Sequence, residues 1–260
     1  MLVNTLKSEW TKLHTTRSFW WTKALFFFFV LGWALLMGTT VQEPSPEMTA
    51  MGIPALTADM VLAVLMLMGL PVLMIQAIMV VTTEYRYGVQ TTTYMANPRR
   101  WMVALVKLVM YAFIAALFVL VGIVVAYALA DAVAKPGVSD TFNPFEDDFA
   151  QRTLWVYPVA AALLVLFSQG VGLLLRQTAG TVALCLILYL GIESFIAMIP
   201  RVGEDIVNFM PFSAFNNWLS DIAPPDNMFW DSSTGYLVIF IIWSVVLWVA
   251  GVLTLQKRDA

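Results

Sequence analysis

The sequence predicts an all-α protein of the membrane-spanning class, and three observations carry that expectation. Hydrophobic residues make up 60% of the 260 positions while charged residues make up only 12%, against about a quarter in soluble domains. The mean hydropathy is +0.80. The apolar residues fall into long blocks such as Phe26-Phe27-Phe28-Phe29 and Leu163-Leu164-Val165-Leu166. These blocks do not alternate with polar residues, as the strands of a closed barrel would, so helices are the expected spanning elements.

A hydrocarbon core of ~30 Å calls for about 20 helical residues. Six stretches qualify, at 19–40, 58–82, 101–130, 155–175, 178–199 and 235–256. The first follows Lys7, Lys12 and Arg17, is longer than a signal-peptide core and lacks a nearby small-residue cleavage site, so it reads as a retained helix. Six crossings put both termini on one face. With the N-terminus inside, Lys7, Lys12, Arg17, Lys23, Arg86, Arg99, Arg100, Lys107, Arg176, Lys257 and Arg258 lie inside, and only Lys135, Arg152 and Arg201 outside. Eleven basic residues against three is the bias that sets orientation, so a multi-pass plasma-membrane protein with both ends cytoplasmic is expected. The whole chain, 1–260, reads as a single transmembrane domain.

Residues 1–18 form an amphipathic start. Leu2, Leu6, Trp10 and Leu13 recur at spacings of four, four and three, with Lys7, Glu9 and Lys12 off that stripe. A helix of this pattern lies in the inner interface with Trp10 at headgroup depth. Between spans two and three, residues 83–100 are the longest inner polar stretch. Gly88 is placed to end a short helix starting near Thr83, and Asn97-Pro98 to make a turn. The acidic outer loop 131–154, with Pro136 and Pro144, reads as a solvated linker. The outer segment 200–234 is apolar around Phe209 and Trp218 yet too short to cross, which fits a re-entrant or interfacial element.

Catalytic and metal signatures are missing. There is no Gly-Lys dipeptide, hence no phosphate-binding loop, and neither a zinc-protease motif nor a G-x-S-x-G. Cys185 and His14 are single, so neither a disulfide nor a metal cluster is expected. Glu193 is the one acid well inside a predicted span. An intramembrane ionisable residue is a functional candidate by default, though its closeness to the outer end also allows a structural role. Gln76 and Gln169 are the further polar candidates for a substrate path, and helix-helix hydrogen bonding explains them equally well. Pro71 is expected to kink the second span.

Three stretches together resemble a known family. Ser8-Glu9-Trp10-Thr11-Lys12-Leu13 followed by Thr15-Thr16-Arg17-Ser18-Phe19-Trp20 is similar to the opening of small bacterial, especially actinobacterial, ABC type-2 exporter permeases. Thr83-Glu84-Tyr85-Arg86-Tyr87-Gly88 with Asn97-Pro98-Arg99-Arg100 resembles their first cytoplasmic loop, and Pro211-Phe212-Ser213-Ala214-Phe215-Asn216 the segment before their last span. Val89-Gln90 departs from the pattern, where a more basic or Thr-Ile pair is expected.

The resemblance implies a permease subunit moving a substrate by alternating access. It implies a second permease subunit, in a homodimer or heterodimer, and two copies of an ABC ATP-binding subunit. Leu6, Trp10 and Leu13 would belong to a connecting helix on the membrane surface. Glu84, Tyr85, Arg86, Tyr87, Gly88, Arg99 and Arg100 would couple to the ATPase, the arginines pairing with its acids or with lipid headgroups. Residues 203–222 would form an outer re-entrant hairpin. The chain itself would hold no cofactor and catalyse nothing; ATP and magnesium would sit on the partner. A non-transporting membrane scaffold of the same fold and an ion-coupled transporter are the alternatives, and the latter needs mid-membrane ionisable groups beyond Glu193.

Overall fold

The structure is a computed structural model that describes residues 2–45, 51, 54–96, 99–200, 203–226 and 228–257. Among these residues it is all-helical. The main helices are α1 (Leu2–Thr15), α2 (Arg17–Thr40), α3 (Ala58–Arg86), α4 (Gln90–Ala96), α5 (Arg100–Val133), α6 (Asp148–Leu175), α7 (Thr178–Ile192), α8 (Pro211–Leu219) and α9 (Thr234–Lys257). Five of them, α2, α3, α5, α6 and α9, are long and apolar enough to cross a bilayer. The expected Asn97-Pro98 turn, Arg201 and Arg258 lie outside the described residues.

The chain divides into two compact units. One comprises Met1–Thr15, Met74–Phe113 and Ala162–Ala260, the other Thr16–Leu73 and Ile114–Ala161. In the second unit, Phe26 of α2 is fully buried beside Gly69 and Gly122. A Cβ on Gly38 would collide with the Ala130 carbonyl, so α2 and α5 meet through a residue without a side chain. The Tyr127 and Thr153 hydroxyls hydrogen-bond at 2.9 Å, and the Trp33 indole donates to the Met60 carbonyl at 2.8 Å.

In the first unit, α6 and α9 cross just as tightly. A Cβ at Gly170 would stand 2.7 Å from the Trp248 backbone nitrogen, and Gly251 faces the Gly170 carbonyl from the other side. Small residues let these backbones approach where leucines would hold them apart. Beside that crossing, Val81, Ala104, Leu173, Val252 and Leu255 form a buried cluster capped by Tyr85, Tyr94 and Trp248.

Local chemistry explains the helix boundaries. Pro71 has no N–H to donate, and the preceding residues Leu65–Gly69 widen into a π-turn that absorbs the mismatch while α3 continues. Asp147 accepts the Ala150 amide at 3.0 Å and so caps α6. Gly88 takes φ +66, the Val89 amide reaches back to the Glu84 carbonyl at 3.0 Å, and the Gly88 amide to that of Tyr85 at 3.4 Å. This is a Schellman ending, which favours glycine because an L side chain is strained at positive φ.

Three expectations need correction. Gly88 does not end a separate helix beginning at Thr83; it ends α3 itself, and the short loop helix is α4. The span expected at 178–199 stops early. Gly191 adopts φ +99 inside a π-turn, and only a single turn, Ser194–Ala197, follows. Helix α7 is therefore 15 residues, about 22 Å at the usual rise, short of a ~30 Å core. The outer loop is also no plain solvated linker: Val138 and Phe142 are buried, and α6 begins at Asp148, seven residues before the expected span.

Candidate functional site: an ion-paired junction beneath the spans

The strongest polar constellation lies where α1, α3, α4 and α5 meet in the first unit. The four charges alternate around a closed ring. Lys12 Nζ lies 2.7 Å from Glu9 Oε1 and 2.9 Å from Glu84 Oε1; Lys107 Nζ lies 2.6 Å from Glu9 Oε2 and 2.9 Å from Glu84 Oε1. Lys12 also donates to the Thr93 hydroxyl of α4 at 3.1 Å, and Lys107 to the Val80 carbonyl of α3 at 3.4 Å. Two carboxylates and two ammonium groups sum to zero charge, so the ring can be buried as a unit.

Burial grades across the ring. The side chains of Glu9 and Lys107 are 3% and 7% exposed, that of Glu84 12%, and that of Lys12 37%. Lys12 is the wet corner. Burial works to lower its pKa, but the hydrogen bonds and charges of Glu84 and Glu9 outweigh that and hold it above its ordinary value. The dry corner, Lys107, stands two turns inside a helix that is otherwise apolar. A lone ammonium there would be costly; two carboxylates make it tolerable.

Helix α1 therefore uses both of its faces. Leu6 and Trp10 are each 47% exposed and Val3 is 62% exposed, forming an apolar outer face. Glu9 and Leu13 are buried at 3% and 6%. The stripe read from spacing is thus divided: Leu13 packs inward with Glu9, which had been placed on the polar side. A charged residue faces protein because it meets opposite charges there, while apolar ones face outward. An exposed apolar stripe of this kind is compatible with an interfacial helix.

The expected ATPase-coupling residues separate into two groups. Glu84 and Arg100 are committed internally. Arg100 donates to the Leu255 carbonyl near the end of α9 at 3.1 Å, and its guanidinium lies 5.3 Å from the Tyr94 ring centroid. Basic groups on last-turn carbonyls are favourable partners. Tyr85 also packs inward, with the Arg176 guanidinium 5.1 Å from its ring. Arg86, Tyr87, Gly88 and Arg99 remain exposed. Tyr87 at 68%, Val89 at 42% and Met95 at 85% form an exposed apolar patch on the loop.

The substrate-path candidates are not gathered into one site. Gln76 is 2% exposed in α3 and Gln169 is fully buried in α6. Neither Gln169 amide atom has a hydrogen-bond partner among the described residues. Glu193 lies elsewhere, just after α7. It is 3% exposed, and its two oxygens accept the backbone amides of Phe212 at 3.2 Å and Ser213 at 2.7 Å. These are the second and third residues of α8, whose own N-cap residue, Met210, has no side-chain oxygen to offer. Glu193 thus caps α8 from a distance, and its charge faces the positive end of the helix dipole. Below it, Phe167, Tyr189, Phe212, Phe215 and Phe240 interlock, with Phe215 and Phe240 centroids 4.6 Å apart.

Sequence reasoning counted Lys107 only as an inside charge and missed its role. The available signal was a lysine seven residues into an apolar helix, together with the Glu9–Lys12 spacing of three on α1. No metal-binding cluster of histidine, cysteine and acidic side chains occurs among the described residues. The chain matches no protein-family model and no curated protein.

Proposed function

We propose that this chain is the transmembrane permease subunit of an ATP-driven ABC exporter. It would pair with a second permease subunit and stand over two copies of an ATP-binding subunit that hold ATP and magnesium and perform the hydrolysis. The observation that carries this reading is the ion-paired junction. α1 and α4, the two helices outside the spans, are fastened by Lys12 to Glu84 of α3, and Lys107 draws α5 into the same ring. A displacement of α4 would be passed to the ends of two spanning helices instead of being lost in a slack loop. The exposed Tyr87, Val89 and Met95, flanked by Arg86 and Arg99, supply a surface of the kind a protein partner covers.

In this reading the chain sits in the plasma membrane with both termini cytoplasmic. α7 is a sixth, short crossing, and α8, nine residues long, is part of an outer re-entrant element. The single turn Ser194–Ala197 after Gly191 would extend α7 in that crossing.

The test is co-expression with an ATP-binding subunit encoded beside it. The pair should co-purify, and the complex should hydrolyse ATP faster than the ATP-binding subunit alone. Met95→Glu should abolish association while leaving the permease folded. Association that survives Met95→Glu and Tyr87→Ala together would remove the docking claim. Association without ATPase stimulation would favour the scaffold reading.

A further inference from the structure

The first unit contains an apolar groove of about 640 Å³ that the exporter reading does not use. Its walls come from α6, α7 and α9, and its end from the residues around Glu193 and Pro211. The volume falls in the range of small-molecule sites, ~300–1,000 Å³. Its lining contains a single ionisable residue, Glu193, and no lysine, arginine or histidine. The Glu193 carboxylate accepts the Phe212 and Ser213 amides and a hydrogen bond from the Ser213 side chain, all neutral donors, and none of the ion pairs among the described residues involves it. A helix N-terminus is worth about half a positive charge, which leaves a surplus of negative charge at the groove wall.

Aromatic rings reinforce this sign. Phe167, Phe195 and Trp243 all line the groove. Phe195 is 66% and Trp243 38% exposed, with the Trp243 indole N–H donating to the Phe209 carbonyl, while Phe167 is buried and stacked on Phe240. Ring faces carry negative potential and attract cations, most strongly where water is excluded. An apolar slot with one carboxylate lacking a full counter-charge and two exposed aromatic rings selects a ligand that is greasy throughout and carries one diffuse positive charge. A neutral acyl chain would fill the space without using the charge. A hydrated inorganic cation would find no other oxygen ligands.

We propose that this groove is a binding site for lipophilic organic cations, with Glu193 as counter-ion. Joined to the exporter reading, it names the cargo class and in that respect rests on it; binding itself needs only this chain.

The experiment is equilibrium binding of radiolabelled tetraphenylphosphonium to the purified full-length chain in detergent, with no ATPase present. Saturable binding is expected, with neutral triphenylphosphine oxide a poor competitor. Glu193→Gln should weaken binding about tenfold or more, the scale of losing a charged partner. That substitution also disturbs the α8 cap, so a second variant is needed away from it. Leu184→Trp fills the groove without touching the cap and should abolish binding with an unchanged gel-filtration profile. The proposal is overturned if wild type binds no tetraphenylphosphonium, if Leu184→Trp and Glu193→Gln both bind as wild type, or if the neutral compound competes equally. The last result would make the groove a site for lipid acyl chains. ATPase association is read separately, so failure here would leave the exporter reading standing.

Discussion

The junction under the spans and the Glu193 cap solve the same problem, a carboxylate buried in an apolar protein, in opposite ways. Glu84 meets two full ammonium charges, brought from α1 and α5. Glu193 meets no full positive charge, only the Phe212 and Ser213 amides and the Ser213 side chain at the start of α8. The first solution binds separate helices together, because the four charges of the ring come from three helices, α1, α3 and α5. The second sets the direction of one short segment and leaves charge to spare. The comparison teaches that a buried acid among apolar helices is not one category: its partners decide whether it acts as a fastener or stays without a full counter-charge.

Removing the dry corner should break the comparison most strongly. Lys107→Met leaves Glu9 and Glu84 with one ammonium between them. Its expected cost is about 3–5 kcal/mol, the scale of an orphaned buried charge, seen as a large fall in melting temperature in detergent or failure to express. A drop under about 1 kcal/mol would show that water reaches the ring. Next comes Glu193→Ala, which deletes a cap and should cost about 1–2 kcal/mol. Limited proteolysis should then cut near 203–211 before any site in the spans.

Lys12→Met is expected to be milder, about 1 kcal/mol, because that ammonium is 37% exposed and partly screened. If it equals Lys107→Met, the grading of the ring by burial is wrong. The smallest effect is on pH dependence. The Lys12 pKa is raised above its ordinary value of 10.5, so its contribution is complete below that pH and is lost as pH rises through the folded-state value. The melting-temperature difference between wild type and Lys12→Met should therefore be independent of pH up to about pH 10. Above that, wild type should fall more steeply than Lys12→Met in a thermal scan.

Much of the fold was legible in the chain because hydrophobic block length is a local property. The helices at 17–40, 58–86, 100–133, 148–175 and 234–257 follow directly from runs that only a bilayer or a large core could hide. The first helix was legible from its spacing, and a helix ending at Gly88 from the need for positive φ. The site was less legible. Glu84 was singled out, but as a surface contact, because nothing in its neighbourhood reveals that Lys107, 23 residues on, folds back beside it. Glu193 stood out as an intramembrane acid, yet its partners are the amides of Phe212 and Ser213, which carry no side-chain signature at all.

The sequence by itself determined that the chain is a set of long apolar helices and the order of the five at 17–40, 58–86, 100–133, 148–175 and 234–257, since hydropathy and length act residue by residue. Only the tertiary structure decided which charges are neutralised, that Gly191 cuts the fifth apolar run short, and that a groove remains between α6, α7 and α9. Those outcomes depend on groups distant in the chain arriving within about 3 Å of one another, and on a backbone turn whose energy is set by the packing around it. Glycine permits such a turn at Gly191; the capped and aromatic-locked α8 beyond it settles where the chain goes next.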